Sequence, residues 1–268
     1  MIRLICVDVD GTLIGTSREV QPAVWRAAER ASAAGIRIAI CSGRPAFGIT
    51  REYAVRLDSE GGHSFQNGAS VVHFASRRSH SASLTSETVA WLIHHARTTG
   101  RDLELYTDDD YWVESTSARA RLHAEVLGVP YVARSLDSPL PPIVRAQWLL
   151  SLDEAPSVLS DAHPGIVLSP STSPVMPDTA FVSLMPPGVD KGTGVIALAA
   201  EYGLSMEEVM FVGDGLNDAP ALRLVGYPVA MGNSEPEALA LARRVVDHVD
   251  EGGLAQALEF ALHVQSRP

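Results

Sequence analysis

Two pairs of carboxylates each close a short apolar run in this chain. Asp8 and Asp10 stand in Asp8-Val9-Asp10-Gly11-Thr12, after Ile2-Arg3-Leu4-Ile5-Cys6-Val7. Asp214 and Asp218 stand in Gly213-Asp214-Gly215-Leu216-Asn217-Asp218, after Val209-Met210-Phe211-Val212. Carboxylates that converge repel one another unless a cation lies between them. Magnesium suits such a cluster, because it takes oxygen ligands in an octahedron and keeps waters and a phosphate oxygen among them. Asp218 has a second reading, as an acid at a helix N-terminus where the dipole favours it. Ser42 and Gly43 follow a further apolar run and offer a hydroxyl and an amide. With a helix start near Pro45, they would make an anion cradle. Lys191, in Gly188-Val189-Asp190-Lys191-Gly192, falls at the start of a helical stretch, where a cation is disfavoured. An anion beside it removes that conflict. The alternative is a surface ion pair with Asp190, in which case Lys191→Ala would leave turnover unchanged. If the lysine instead serves a phosphoryl group, the same change is expected to leave stability unchanged or slightly raised.

The elements that must hold these residues alternate. Residues 2–9 form a β-branched apolar run that suits a strand buried on both faces of a parallel sheet. Its period of two points Asp8 and Asp10 the same way at the strand's C-terminal end, where open α/β sheets bind ligands. A helix from Pro22 to Ala34 and a strand from Ile36 to Cys41 follow. The C-terminal part repeats the pattern. Helices are predicted over 191–201, 218–224, 235–242 and 254–264, with strands over 209–212, 227–230 and 245–247. The middle differs. It holds a helix capped by Ser86, a hairpin around Asp108-Asp109-Asp110, a helix over 118–127, and strands near 146–152, 166–168 and 181–184. This predicts an α/β fold, a Rossmann-like core with a parallel sheet over 1–83 and 184–268, interrupted by an inserted α+β domain over 84–183.

Composition bounds the function. The 268 residues are 46% hydrophobic and 20% charged, which excludes a largely disordered chain. No apolar run approaches the roughly 20 residues of a membrane helix. Asp8 and Asp10 interrupt any signal-peptide pattern, so a cytoplasmic protein is expected. A net charge of −11 argues against nucleic acid as partner. Cys6 and Cys41 read as reduced core thiols. The nine histidines show no ligand spacing, the adjacent His94 and His95 included. Asp108 to Asp110 lack the spacing of a calcium loop and read as a solvated hairpin tip. Tyr111 and Trp112 beside them offer stacking on a substrate or packing in a core, and Arg44 a phosphate contact or an ion pair.

Taken in order, Asp8-Val9-Asp10-Gly11-Thr12, Ser42 in Cys41-Ser42-Gly43-Arg44, Lys191, and Gly213-Asp214 through Asn217-Asp218 resemble the four signatures of the haloacid dehalogenase superfamily phosphatases. The Asn67-Gly68 turn and Ala230-Met231-Gly232-Asn233 resemble its Cof-type branch with a C2B (subclass IIB) cap, and the match spans the whole chain. The resemblance implies that Asp8 is the nucleophile that becomes an aspartyl phosphate and that Asp10 is the general acid and base. It implies a Mg2+ ion held by the Asp8 and Asp214 carboxylates and the Asp10 main-chain carbonyl, with Asp218 bracing the metal's water shell. Ser42, Gly43, Lys191 and Asn217 would hold the phosphoryl oxygens. The implied substrate is a small phosphorylated metabolite, either a sugar phosphate or a cofactor phosphate such as pyridoxal phosphate or flavin mononucleotide. The core would supply the chemistry and the cap the specificity. Two rivals are a phosphosugar mutase with the same cap type and a non-catalytic phospholigand-binding regulator. The intact acid pair counts against the latter. Oligomeric state is left open.

Overall fold

The structure is a computed structural model and describes residues 1–137, 139–163, 165–173 and 175–265. The elements run β1 (Leu4–Val7), α1 (Pro22–Ala33), β2 (Arg37–Ile40), α2 (Ile49–Leu57), β3 (Gly62–Phe65), β4 (Ser70–His73), β5 (Arg78–Ser81), α3 (Ser86–Thr99), β6 (Asp102–Tyr106), β7 (Tyr111–Val113), α4 (Ala118–Leu127), β8 (Arg145–Ser151), α5 (Ala155–Ser160), β9 (Val167–Ser173), β10 (Met176–Met185), α6 (Lys191–Glu201), β11 (Val209–Gly213), α7 (Ala219–Leu224), β12 (Tyr227–Ala230), α8 (Pro236–Leu241), β13 (Arg244–Val245) and α9 (Gly253–Gln265). None of the described helices is long and apolar enough to cross a membrane.

The chain divides into two units, one of residues 1–44, 50–80 and 189–268, the other of residues 45–49 and 81–188. The boundary expected at 183/184 falls inside β10, a strand hydrogen-bonded to β8 and β9 up to its last residues, and the division comes after Gly188 instead. Positions 138, 164, 174 and 266–268 of the expected domains lie outside the described residues.

In the first unit β13-β12-β11-β1-β2 form a wholly parallel sheet. β1 lies between β11 and the edge strand β2, with Leu4 to Val7 opposite Val209 to Val212 on one side and Arg37 to Ile40 on the other. All four β1 residues are buried, as a strand covered on both faces must be. Leu4, Cys6 and Phe211 pack with Val195, Leu198 and Leu222 from α6 and α7. Helix α1 begins with Pro22 at its first turn and buries Val24, Ala27, Ala28 and Ala31, a stripe at helical spacing. After β2 and α2 the chain forms the sheet β3-β4-β5, in which β3 and β4 are antiparallel, and a bridge between Ser64 and Cys41, just past β2, joins the two sheets. These strands and α5 have no counterpart in the sequence reading, and α2 corresponds to the helix expected to start near Pro45.

The second unit is an antiparallel sheet, β7-β6-β8-β10-β9. One face carries Leu103, Leu105, Trp148, Leu150 and Val182, packed with Leu92 of α3 and Val158 of α5. The other carries Tyr106, Leu149 and Phe181, packed with Ala120 and Ala124 of α4. Glu104 on that face is fully buried, and accepts from the Tyr106 hydroxyl at 2.5 Å and lies 2.9 Å from His123 Nδ1. The cap of α3 is Thr85, one residue earlier than expected, its hydroxyl accepting from the Thr88 N–H. Tyr111 packs in this core. The acidic hairpin tip is only partly solvated. Asp108 accepts from the Ser81 hydroxyl at 2.6 Å, and Thr107 Oγ1 accepts from the Asp110 N–H at 2.9 Å.

Candidate active site

Every residue singled out for chemistry belongs to the first unit, and all but Lys191 follow the C-terminal ends of β1, β2 and β11. Chain order reverses at β1, whose neighbours are β2 and β11, and such a switch point leaves a crevice at the strand ends.

β1 stops at Val7, so the period-two argument does not extend to Asp10. The Val9 carbonyl accepts from the Leu13 and Ile14 N–H groups at 3.0 and 2.9 Å, which turns the chain out of the sheet. Asp8 is therefore 6% exposed, while the Asp10 side chain is 61% exposed and points elsewhere. Arg44 grips Asp10 in a fork, Nε to Oδ2 at 2.7 Å and Nη2 to Oδ1 at 2.6 Å. Gly11 has φ +79°, and a Cβ there would lie 2.1 Å from Asp214 Oδ2, so only glycine lets this turn meet the β11 loop.

Lys191 is fully buried, and its Nζ donates to Asp8 Oδ1 at 2.6 Å and to Asp218 Oδ1 at 2.5 Å. The surface pairing with Asp190 is overturned. The Asp190 side chain instead caps α6, accepting from the Thr193 N–H at 2.9 Å. Asp218 is fully buried too, and its Oδ2 accepts from the Asp214 and Gly215 N–H groups, both at 2.9 Å. It thus fixes the loop that carries Asp214 and neutralises the lysine, which is more than the helix-terminal acid of the second reading.

Carboxylate oxygens of Asp8, Asp214 and Asp218 lie within 4.8 Å of one another. Burial pushes the Asp8 carboxyl well above the usual range; Lys191 opposes this, and Asp218, Asp214 and Asp10 add to it. Burial, then the Asp218 charge, pushes Asp214 up to about 7. The lysine is held protonated against burial by Asp218 and Asp8. Ionised together, the three acids carry more negative charge than one lysine offsets. Hard oxygen donors short of positive charge are the donor set that a divalent ion such as Mg2+ fits. Asp218 gives one oxygen to Lys191 and the other to the Asp214 and Gly215 amides. Asp10 stays outside this cluster by its side chain.

Thr12 and Asn233 were not assigned from sequence, yet both set Asp214. The Thr12 hydroxyl donates to Asp214 Oδ1 at 2.9 Å. Asn233 Nδ2 donates to the Gly11 carbonyl at 2.8 Å and to Asp214 Oδ2 at 3.3 Å. Their only signal was membership of the motif strings. Ser42 is 1% exposed and its Oγ accepts from the Arg44 N–H at 3.2 Å. The helix expected to start near Pro45 starts at Ile49, so Ser42 and Gly43 lie in the loop before it and not at its N-terminus. Asn217 is exposed and donates to Asn67 Oδ1 at 3.1 Å. Cys6 and Cys41 are buried free thiols, Cys41 pushed up to about 12 by burial, which leaves it unreactive.

A parallel α/β core with its polar groups gathered at one sheet edge is the frame of an enzyme. Residues 5–258 match the haloacid dehalogenase-like hydrolases, and the chain belongs to that family. It is 29% identical over 270 residues to YxeH of Bacillus subtilis, whose name carries a provisional phosphatase assignment, with 96% of this chain and 97% of the relative covered. A haloacid dehalogenase-like hydrolase from Bacteroides thetaiotaomicron superposes with a TM-score of 0.84 at 26% identity, covering 97% and 99% of the two chains. The subclass IIB sugar phosphatase BT4131 shares the fold, with a TM-score of 0.81 at 22% identity over 96% and 98%.

Proposed function

We propose that this hydrolase is a Mg2+-dependent phosphatase that cleaves phosphomonoesters of small metabolites, sugar phosphates or cofactor phosphates, through an aspartyl phosphate on Asp8. The observation that carries the reading is the buried Lys191 bridging Asp8 and Asp218 beside Asp214. A buried lysine facing a carboxylate is costly structural ballast, but it is useful where a dianion must approach an anionic nucleophile. The provisional phosphatase assignment of YxeH and the sugar phosphatase activity in the name of BT4131 point the same way.

In this mechanism an Asp8 carboxylate oxygen forms a bond to phosphorus as the bond to the ester oxygen breaks. The Asp10 carboxyl gives its proton to that leaving oxygen. The Asp10 carboxylate then takes a proton from water, whose oxygen displaces Asp8 and releases inorganic phosphate. Ser42, the Gly43 amide, Lys191 and Asn217 hold the phosphoryl oxygens. Asp8, the Asp10 carbonyl and Asp214 would hold Mg2+, which when bound offsets the charge on the transferring group. Since Arg44 occupies both Asp10 oxygens, that fork must open before Asp10 can carry a proton.

Purified protein with Mg2+ is expected to release phosphate from a panel of sugar and cofactor phosphates. Asp8→Asn keeps the shape and removes the attacking charge, so turnover is expected to fall by at least about a thousandfold with the fold intact. Normal turnover by folded Asp8→Asn would exclude the covalent step, and transfer of the phosphoryl group to a second sugar position would favour a mutase.

A further inference from the structure

The phosphoryl pocket leaves one loop unaccounted for. After β3 ends at Phe65, Gln66 and Asn67 both take φ of 53°. A non-glycine residue in this left-handed region is uncommon and is held there by its surroundings. Here the surroundings are the loops of the phosphoryl site. The Gln66 N–H donates to the Arg44 carbonyl and the Asn67 N–H to the Ser42 carbonyl, both at 3.0 Å. Gly68 has φ +94°, and a Cβ there would lie 2.0 Å from the Asp190 carbonyl, so the loop also lies against the residue before Lys191. The Asn67 side chain reaches the remaining segments. Its Oδ1 accepts from Asn217 Nδ2 at 3.1 Å and would lie 3.0 Å from a Cβ at Gly43.

Residues 66–68 thus touch the segments carrying Ser42 and Gly43, Lys191, and Asn217. An exposed primary amide such as that of Asn217 has two nearly equivalent orientations, and water competes for both of its ends. An acceptor beside it, carried on a loop whose backbone is tied to Arg44 and Ser42, decides which end is nitrogen. One N–H of Asn217 is spent on Asn67, and its second N–H is left as a donor of fixed direction.

We propose that Asn67 is a positioning residue of the phosphoryl pocket, its side-chain carbonyl fixing the amide of Asn217 so that the amide donates to a phosphoryl oxygen. This rests on the phosphatase reading above. The left-handed backbone and the side-chain role can be separated, because glycine at 67 tolerates the same φ and keeps both backbone hydrogen bonds while deleting the acceptor.

The test compares wild type, Asn67→Gly, Asn217→Ala and the double variant. It reads kcat/KM on p-nitrophenyl phosphate, the inhibition constant of orthovanadate, and Tm. Asn67→Gly is expected to lose about tenfold in both kcat/KM and orthovanadate affinity, the scale of one hydrogen bond, at unchanged Tm. Added to Asn217→Ala, it is expected to cost less than about twofold more, since a residue acting only through Asn217 has nothing left to act on. Multiplying losses in the double variant would overturn the proposal, as would unchanged kinetics in Asn67→Gly or a fall in Tm that accounts for its lost turnover. A wild-type protein that neither hydrolyses the ester nor binds orthovanadate would refute the phosphatase reading, and this inference falls with it. An active wild type with an indifferent Asn67→Gly refutes this inference alone.

Discussion

A lysine with no solvent exposure keeps its charge only when its surroundings return the lost hydration. Lys191 meets Asp8 at 2.6 Å and Asp218 at 2.5 Å, and no water is needed to explain its protonation. Its removal would strand two buried carboxylates, and breaking a buried pair from one side typically costs on the order of 3–5 kcal/mol. Lys191→Ala is therefore expected to lower Tm substantially as well as to slow turnover by about a hundredfold or more, the usual scale for one lost transition-state donor. Urea unfolding and steady-state kinetics on this one variant check both. An unchanged stability would show that the two acids are already neutral in the folded protein. The sign is the opposite of the sequence-based expectation, and the reason is physical. Sequence shows the helix start and the adjacent Asp190, both local. The carboxylates that decide the matter are 183 and 27 positions away. The same limit explains Asp10. Its spacing from Asp8 was legible, but the turn that separates their side chains depends on where β1 stops.

At the scale of elements, apolar strands and amphipathic helices were legible where burial imposes a pattern. The strand expected over 209–212 is Val209–Gly213, and the helix expected over 22–34 is Pro22–Ala33. Elements with little apolar signal were not. β3 reads Gly-His-Ser-Phe and β5 Arg-Ser-His-Ser, and their pairing comes from backbone hydrogen bonds and neighbours. β9 outruns its expected three residues because Pro170 is tolerated in a strand at the sheet edge. His63 shows what such a polar strand contributes. Its Nδ1 accepts from the Ile40 N–H at 3.0 Å and its Nε2 lies 2.8 Å from the Asp58 carbonyl, so one neutral tautomer ties β3 to β2 and to the end of α2. Burial pushes this imidazole down to about 4. Above pH 6.5 it is neutral folded and unfolded, and contributes no pH dependence. Between 6.5 and 4 the unfolded chain takes up a proton that the folded one refuses, so stability falls as pH falls. By pH 4.5 this amounts to about 2 to 3 kcal/mol. Unfolding free energies of wild type and His63→Gln at pH 7 and 4.5 are expected to differ in slope by that amount, the variant being flatter. Equal slopes would mean that His63 titrates normally.

At the scale of the whole molecule, net charge and local charge point the same way. The chain carries −11 overall, and the cluster of Asp8, Asp214 and Asp218 concentrates negative charge at one sheet edge. Without a cation, ionising Asp214 there is opposed first by burial and next by Asp218, which is why its carboxyl is pushed up to about 7. Two effects of a divalent ion must then be told apart, site binding and general screening. A site filled at a hundred times its Kd stabilises by about 2.7 kcal/mol. For a chain of this size that is a rise in Tm of roughly 5–10 °C. Asp214→Asn separates the two effects. It removes a like charge from the cluster, so without metal the variant is expected to be at least as stable as wild type. It also removes a ligand, so its Tm is expected to ignore Mg2+ at concentrations that shift the wild type, while a matched rise in NaCl moves both proteins alike. Thermal unfolding of the two proteins in chelator, in Mg2+ and in NaCl of equal ionic strength makes the comparison. Equal Mg2+ responses would mean that the ion acts on the −11 charge as a whole and that these aspartates do not hold it.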